Sequence, residues 1–84
     1  MEEIKLGTID DFFAKVGVIA FKMDDSLKVG DTIHIKGHTT EIKQTVTSMQ
    51  IDNKPVQEAK KGDSVGIKVD GRARKGDIVF KVMP

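Results

Sequence analysis

Arg72, Arg74 and Lys75 place three cations in four residues, within the stretch "GRARKGD" from Gly71 to Asp77, and no acid interrupts them. A guanidinium is a planar fork of donors that fits two phosphate oxygens at once, so this spacing suits binding of a phosphate backbone. The flanking Gly71 and the Gly76–Asp77 pair are also what a turn between two strands requires, so the stretch reads equally as a basic turn. A second polar cluster, "GHTT" (Gly37–Thr40), gathers the imidazole of His38 and the hydroxyls of Thr39 and Thr40. It has the composition of a small binding site, and equally of a β-turn whose hydroxyls bond its own backbone. His34 and His38 would lie about 13 Å apart on an extended strand. They lack the further short-range ligands that a zinc site needs, so no metal is expected. Asp10–Asp11 and Asp24–Asp25 are adjacent in sequence, and adjacent strand residues face opposite sides, which unfits them for shared acid–base work. There is no cysteine, and no serine stands in a recognisable nucleophile setting with a histidine and an acid. The residues point away from an enzyme and from any cofactor.

The elements that must position these groups read as strands. "KVGD" (Lys28–Asp31), "KKGD" (Lys60–Asp63) and "RKGD" (Arg74–Asp77) share one form, and each precedes a strand-like run. Glycine supplies a positive φ and aspartate bonds nearby backbone, so these are strand entries of one pattern, at spacings too unequal for a tandem repeat. Ile33 and Ile35 alternate with His34 and Lys36; Val65, Ile67 and Val69 alternate with Gly66, Lys68 and Asp70; Ile78, Phe80 and Val82 alternate with Val79, Lys81 and Met83. A period of two with one apolar face marks a half-buried strand. In "EIKQTVTSMQID" (Glu41–Asp52) the apolar parity flips near Thr47–Ser48, which predicts a bulge or corner there. The Phe13–Lys15 link suits a hairpin or a sharp bend, and Pro55 predicts an edge position, with Val56 and Ala59 in a brief edge strand. The expected core is Ile4, Leu6, Phe12, Val18, Ala20, Ile33, Ile35, Val46, Met49, Ile51, Val65, Ile67, Val69, Ile78, Phe80 and Val82. Six or seven such strands predict an all-β fold, a small closed six-stranded antiparallel β-barrel, since closure removes exposed edges.

The 84 residues suffice for one domain, read as 1–84. The opening "MEEIKLGTIDD" is acidic, unlike a secretory leader. The longest apolar run, Val16–Phe21, is far shorter than the ~20 residues of a membrane helix. With no cysteine, these features predict a cytoplasmic protein without a membrane partner. Residues 1–53 carry six lysines against nine acids, and residues 54–84 carry eight basic residues against four acids. That asymmetry marks a basic face if the halves stay apart in space, and nothing if they interleave. A 32% charged composition with a single asparagine leans toward a thermophilic source.

"SLKVGDTIHIKG", "TVTSMQIDNKPVQEAKKGDSVGIKVDG" and "RKGDIVFKV" together resemble the second domain of translational GTPases such as elongation factor Tu and initiation factor two. The likeness is closer to the C-terminal barrel of collagenase-like peptidase-family proteins and to small stand-alone elongation-factor-like proteins. It covers roughly Val16 to Val82. It implies a six-stranded antiparallel barrel that touches RNA, with Arg72, Arg74, Lys75, His38, Thr39 and Thr40 as the nucleic-acid-binding candidates in this sequence. No "GxxxxGK[ST]" loop is present, so nucleotide binding is not expected. The leading expectation is a non-catalytic module contacting RNA or a ribonucleoprotein. The alternative is a protein-interaction accessory subunit acting beside a separate enzyme.

Overall fold

The computed structural model describes residues 2–83. Its strands are β1 (Glu2–Thr8), β2 (Asp11–Phe13), β3 (Val18–Lys22), β4 (Leu27–Lys28), β5 (Thr32–Lys36), β6 (Glu41–Thr45), β7 (Met49–Ile51), β8 (Lys54–Pro55), β9 (Glu58–Ala59), β10 (Ser64–Lys68) and β11 (Ile78–Met83). The fold is all-β. The expected single closed six-stranded ladder is replaced by three antiparallel sheets: β1-β11-β5-β6, β2-β3-β10-β7-β8 and the short pair β4-β9.

The reason lies at the parity flip. β6 ends at Thr45 in the four-stranded sheet, and β7 begins at Met49 in the five-stranded one. Residues 46–48 form the corner between them, where the sequence calls for one. Val46 and Met49 are both buried, while Ile42 and Ile51 pack half-buried against the core. The corner leaves a seam between β6 and the end of β10. A side chain bridges it in place of a backbone ladder: Gln44 Nε2 donates to the Lys68 carbonyl at 3.0 Å, and the Asp70 N–H donates to Gln44 Oε1 at 2.8 Å.

Of the hairpin or sharp bend expected after Phe13, the hairpin is present, with Phe13 opposite Val18. Pro55 sits on the edge strand of its sheet, and Ala59 is buried in β9, whereas Val56 lies outside both strands.

One continuous cluster of buried apolar side chains lies between the sheets. Leu6, Ile33, Ile35, Val46, Met49, Val65, Ile67 and Val69 belong to it as expected. On β3 and β11 the expected face is inverted. Ile19, Phe21 and Val79 are buried, and Val18, Ala20, Ile78, Phe80 and Val82 are half-buried on the outer faces. β3 is apolar on both sides, so alternation alone could not choose its inward set. On β11 Lys81 shares the side of the buried Val79, so alternation pointed to the opposite face. Ile4 and Phe12 are likewise half-buried, and Ile9, Met23, Leu27, Ala59 and Ala73 complete the core from turns and short strands.

Candidate functional site

The three Gly–Asp strand entries are one turn built three times. Asp31, Asp63 and Asp77 each donate their N–H to the carbonyl three residues earlier, at 3.0, 3.0 and 3.1 Å. Each also accepts, on Oδ2, the N–H of that same earlier residue, at 2.9, 2.8 and 2.8 Å. Gly30, Gly62 and Gly76 take φ of 101°, 95° and 95° at the third position, as a type II turn requires. Each copy is tied to a neighbouring segment by the same reciprocal pair of backbone bonds. Gly30 N–H donates to the Val46 carbonyl at 2.9 Å and Val46 N–H to the Asp31 carbonyl at 2.8 Å. Gly62 N–H donates to the Met23 carbonyl and Met23 N–H to the Asp63 carbonyl, at 2.8 Å each. In the third copy Gly76 N–H donates to the Ile9 carbonyl at 2.9 Å, and Ile9 N–H donates to the Asp77 carbonyl at 2.8 Å.

This frame fixes the basic loop. Ala73 is buried with 4% of its surface exposed, while Arg72 and Arg74 on either side of it are exposed, as is Lys75. Burial of the alanine between them is what turns both guanidinium-bearing residues outward. Among the described residues, no carboxylate oxygen lies within 4.0 Å of the charged nitrogens of Arg72, Arg74 or Lys75. The loop does not join two paired strands, as its turn-like composition suggests. It crosses from β10 in one sheet to β11 in the other.

The "GHTT" turn abuts this loop. Gly37 N–H donates to the Thr40 carbonyl at 2.8 Å, closing the turn. His38 and Thr39 are exposed at its tip, and Thr40 is buried at 7% exposure. Thr40 therefore anchors the turn. A Cβ on Gly37 would overlap the carboxylate of Asp77, and a Cβ on Gly71 would come within 3.1 Å of Ile42 Cδ1. The two segments singled out by composition, Gly37–Thr40 and Gly71–Asp77, thus meet at one end of the fold. The glycines permit that contact.

A polar network on the outer face of the four-stranded sheet escaped the sequence reading. His34 on β5 sets Nδ1 2.7 Å from Glu3 Oε2 on β1 and Nε2 3.3 Å from Glu41 Oε2 on β6. Lys36 Nζ lies 2.9 Å from Glu3 Oε1 and 5.2 Å from the centre of the Phe80 ring. The hydrogen bonds from Lys36 and then His34 hold the Glu3 carboxyl below its ordinary pKa. The signal was the polar set His34 and Lys36 alternating with Ile33 and Ile35. Their partners come from strands remote in sequence, which alternation does not pair.

The described residues contain no helix long and apolar enough to cross a membrane.

Residues 26–80 match the family model of elongation factor Tu domain 2. The chain is 43% identical over 79 residues to an uncharacterized protease of Methanocaldococcus jannaschii; the match covers 93% of this chain and 19% of that protein. The chain therefore spans about a fifth of the length of this curated relative. Its fold matches the crystal structure of the C-terminal domain of a Geobacillus thermoleovorans protein named as a U32 peptidase. The TM-score is 0.85 at 14% identity, covering 96% of this chain and 93% of that one. The selenomethionine variant of the same domain matches with a TM-score of 0.82 at 13% identity, covering 89% and 95%. At such identities the structural matches speak for the fold alone. The family match takes in the larger part of the chain, the strand entries at Asp31 and Asp63 and the whole basic loop among it, and the chain belongs to the elongation factor Tu domain 2 family.

Proposed function

We propose that this domain is a non-catalytic binding module that contacts RNA or a ribonucleoprotein at the end where the 71–77 loop meets the 37–40 turn. One observation carries the reading: Arg72, Arg74 and Lys75 are exposed on a backbone pinned by Ala73 and Asp77, and among the described residues none of them is ion-paired. Cations held outward in this way are available to phosphate oxygens. His38 and Thr39 on the adjoining turn add exposed donors, and Thr40 supports them from below. Four phenylalanines with no tyrosine or tryptophan leave little aromatic surface for stacking bases, which favours backbone contact over base contact.

The test is RNA binding across a salt series. Each phosphate contact contributes roughly 0.7–0.9 to the slope of log affinity against log salt. Replacing Arg72, Arg74 and Lys75 together with alanine is expected to flatten that slope by about two units. Thermal stability should barely change, because exposed charges contribute little to folding. Equal slopes for both proteins would overturn the proposal.

A second reading is favoured by the length of the relative. A segment matching about a fifth of a protein named as a protease, with the fold of the C-terminal domain of a U32 peptidase, suits a protein-interaction accessory role beside an enzyme. RNA affinity lost without a protein partner, and restored with one, would favour it.

A further inference from the structure

The outer face of the five-stranded sheet carries a groove that the basic loop does not use. Its larger part has a volume of about 490 Å³, within the range of ligand-binding clefts. A smaller extension of about 270 Å³ shares Val16, Val18 and Gly66 with it and ends at Lys68. The floor is made by Val18 and Ala20 of β3, the outward apolar residues of a strand whose inward face is already filled by Ile19 and Phe21. Gly66 on β10 keeps the floor open, since a Cβ there would sit 3.2 Å from Val18 Cγ1. Phe13 and Val16, at 49% and 58% exposure the large apolar side chains that stand exposed among the described residues, both border this groove. Exposed apolar surface collected at one concave place, rather than scattered singly, is the mark of a contact site.

The charge around the groove selects the occupant. Asp10 and Asp52 line its larger part, and no lysine or arginine does. Asp52 is held there by a two-residue hairpin turn, with φ of 53° at Asp52 and 63° at Asn53 between β7 and β8, the type I′ conformation. Two carboxylates without a counter-charge repel a phosphate backbone and attract a cationic side chain. In the floor, β10 is hydrogen-bonded to β3 on one side and to β7 on the other, so recognition falls to side chains rather than to strand addition. We infer that this groove binds an extended segment of a partner protein, with an apolar side chain over Gly66 and a lysine or arginine against Asp10 and Asp52.

The experiment follows amide chemical shifts of the full chain during titration with an end-capped pentapeptide of alternating leucine and arginine. The amides of Val18, Ala20 and Gly66 are expected to move in a saturable way. The double variant Asp10→Asn, Asp52→Asn keeps both shapes, and asparagine tolerates the left-handed conformation at position 52. It should weaken binding about fivefold, the scale of two exposed ion pairs. The same pentapeptide with glutamate for arginine should leave these amides still. Equal binding of the glutamate peptide, or unchanged affinity in the double variant, would overturn the inference. So would preferential seating of a polyadenylate hexamer at these amides, which would assign the groove to RNA. Movement of the same amides with protein concentration alone would assign it to a second copy of the chain, and would overturn the inference equally.

Discussion

Asp77 differs from its counterparts Asp31 and Asp63 in surroundings, not in bonding. All three carboxylates accept the same backbone N–H, three residues earlier. Asp77 alone is buried, at 7% exposure, against the bare Cα of Gly37. The Arg74 N–H that Asp77 accepts is part-buried, whereas the corresponding N–H groups of Lys28 and Lys60 are exposed. A donor shielded from water bears more of its desolvation cost when its acceptor is removed, and an exposed one turns to water. Asp77→Ala is therefore expected to cost about 2 kcal/mol, against about 0.5–1 kcal/mol for Asp31→Ala or Asp63→Ala, read by urea unfolding. Gly37→Ala should cost about as much as Asp77→Ala, and the two together less than their sum, because both disturb one contact. Glu3 gives a pH dependence of definite sign. Its carboxyl, held below the ordinary value by Lys36 and His34, contributes stability that is present above its unfolded-state pKa. That contribution is lost as pH falls through the folded-state value. Melting temperatures between about pH 6 and about pH 3 should fall more steeply for the native protein than for Glu3→Gln, the gap between the two closing at the acid end.

At the scale of elements, the seam between β6 and β10 is bridged by one amide side chain, beside a longer backbone bond from the Lys68 N–H to the Ser48 carbonyl at 3.3 Å. Gln44 serves as both donor and acceptor there, to Lys68 and from Asp70. It ties down the start of the segment that carries Arg72 and Arg74. Gln44→Ala is expected to cost about 1–2 kcal/mol and to raise hydrogen exchange at the Asp70 amide well before the β10 amides respond. Unchanged protection at Asp70 would mean that the seam is closed without Gln44. The corner at residues 46–48 is the complementary case. The parity of Val46 and Met49 demanded a break in the strand, and the break lets both face the core from different sheets.

At the scale of the whole molecule, the acidic first half and basic second half do not form two faces. β1 pairs with β11 and β3 pairs with β10, so the halves interleave through both large sheets. What survives is local: a basic loop at 71–77, and a groove bordered by Asp10 and Asp52. The two sites should respond independently. Asp10→Asn with Asp52→Asn is expected to leave the salt slope of RNA binding unchanged, while alanine at Arg72, Arg74 and Lys75 should leave affinity for the leucine–arginine peptide unchanged. Cross-effects in either direction would show one continuous surface instead of two.

The sequence by itself determined the strand class, the three Gly–Asp turns and the corner near Thr47, because each depends on residues within a few positions of one another. It also marked "GHTT" and "GRARKGD" as unusual segments. The tertiary structure decided that they adjoin, through Gly37 against Asp77, since that contact joins turns some 40 residues apart. It decided the inward faces of β3 and β11 as well. Where Val18, Ile19, Ala20 and Phe21 are all apolar, period two is satisfied by either face, and the choice falls to what the neighbouring strands place opposite. The same choice put Val18 and Ala20 outside and made the floor of the groove. Which of Arg72, Ala73 and Arg74 turns inward was settled by packing, because only the alanine fits a core already filled by larger side chains.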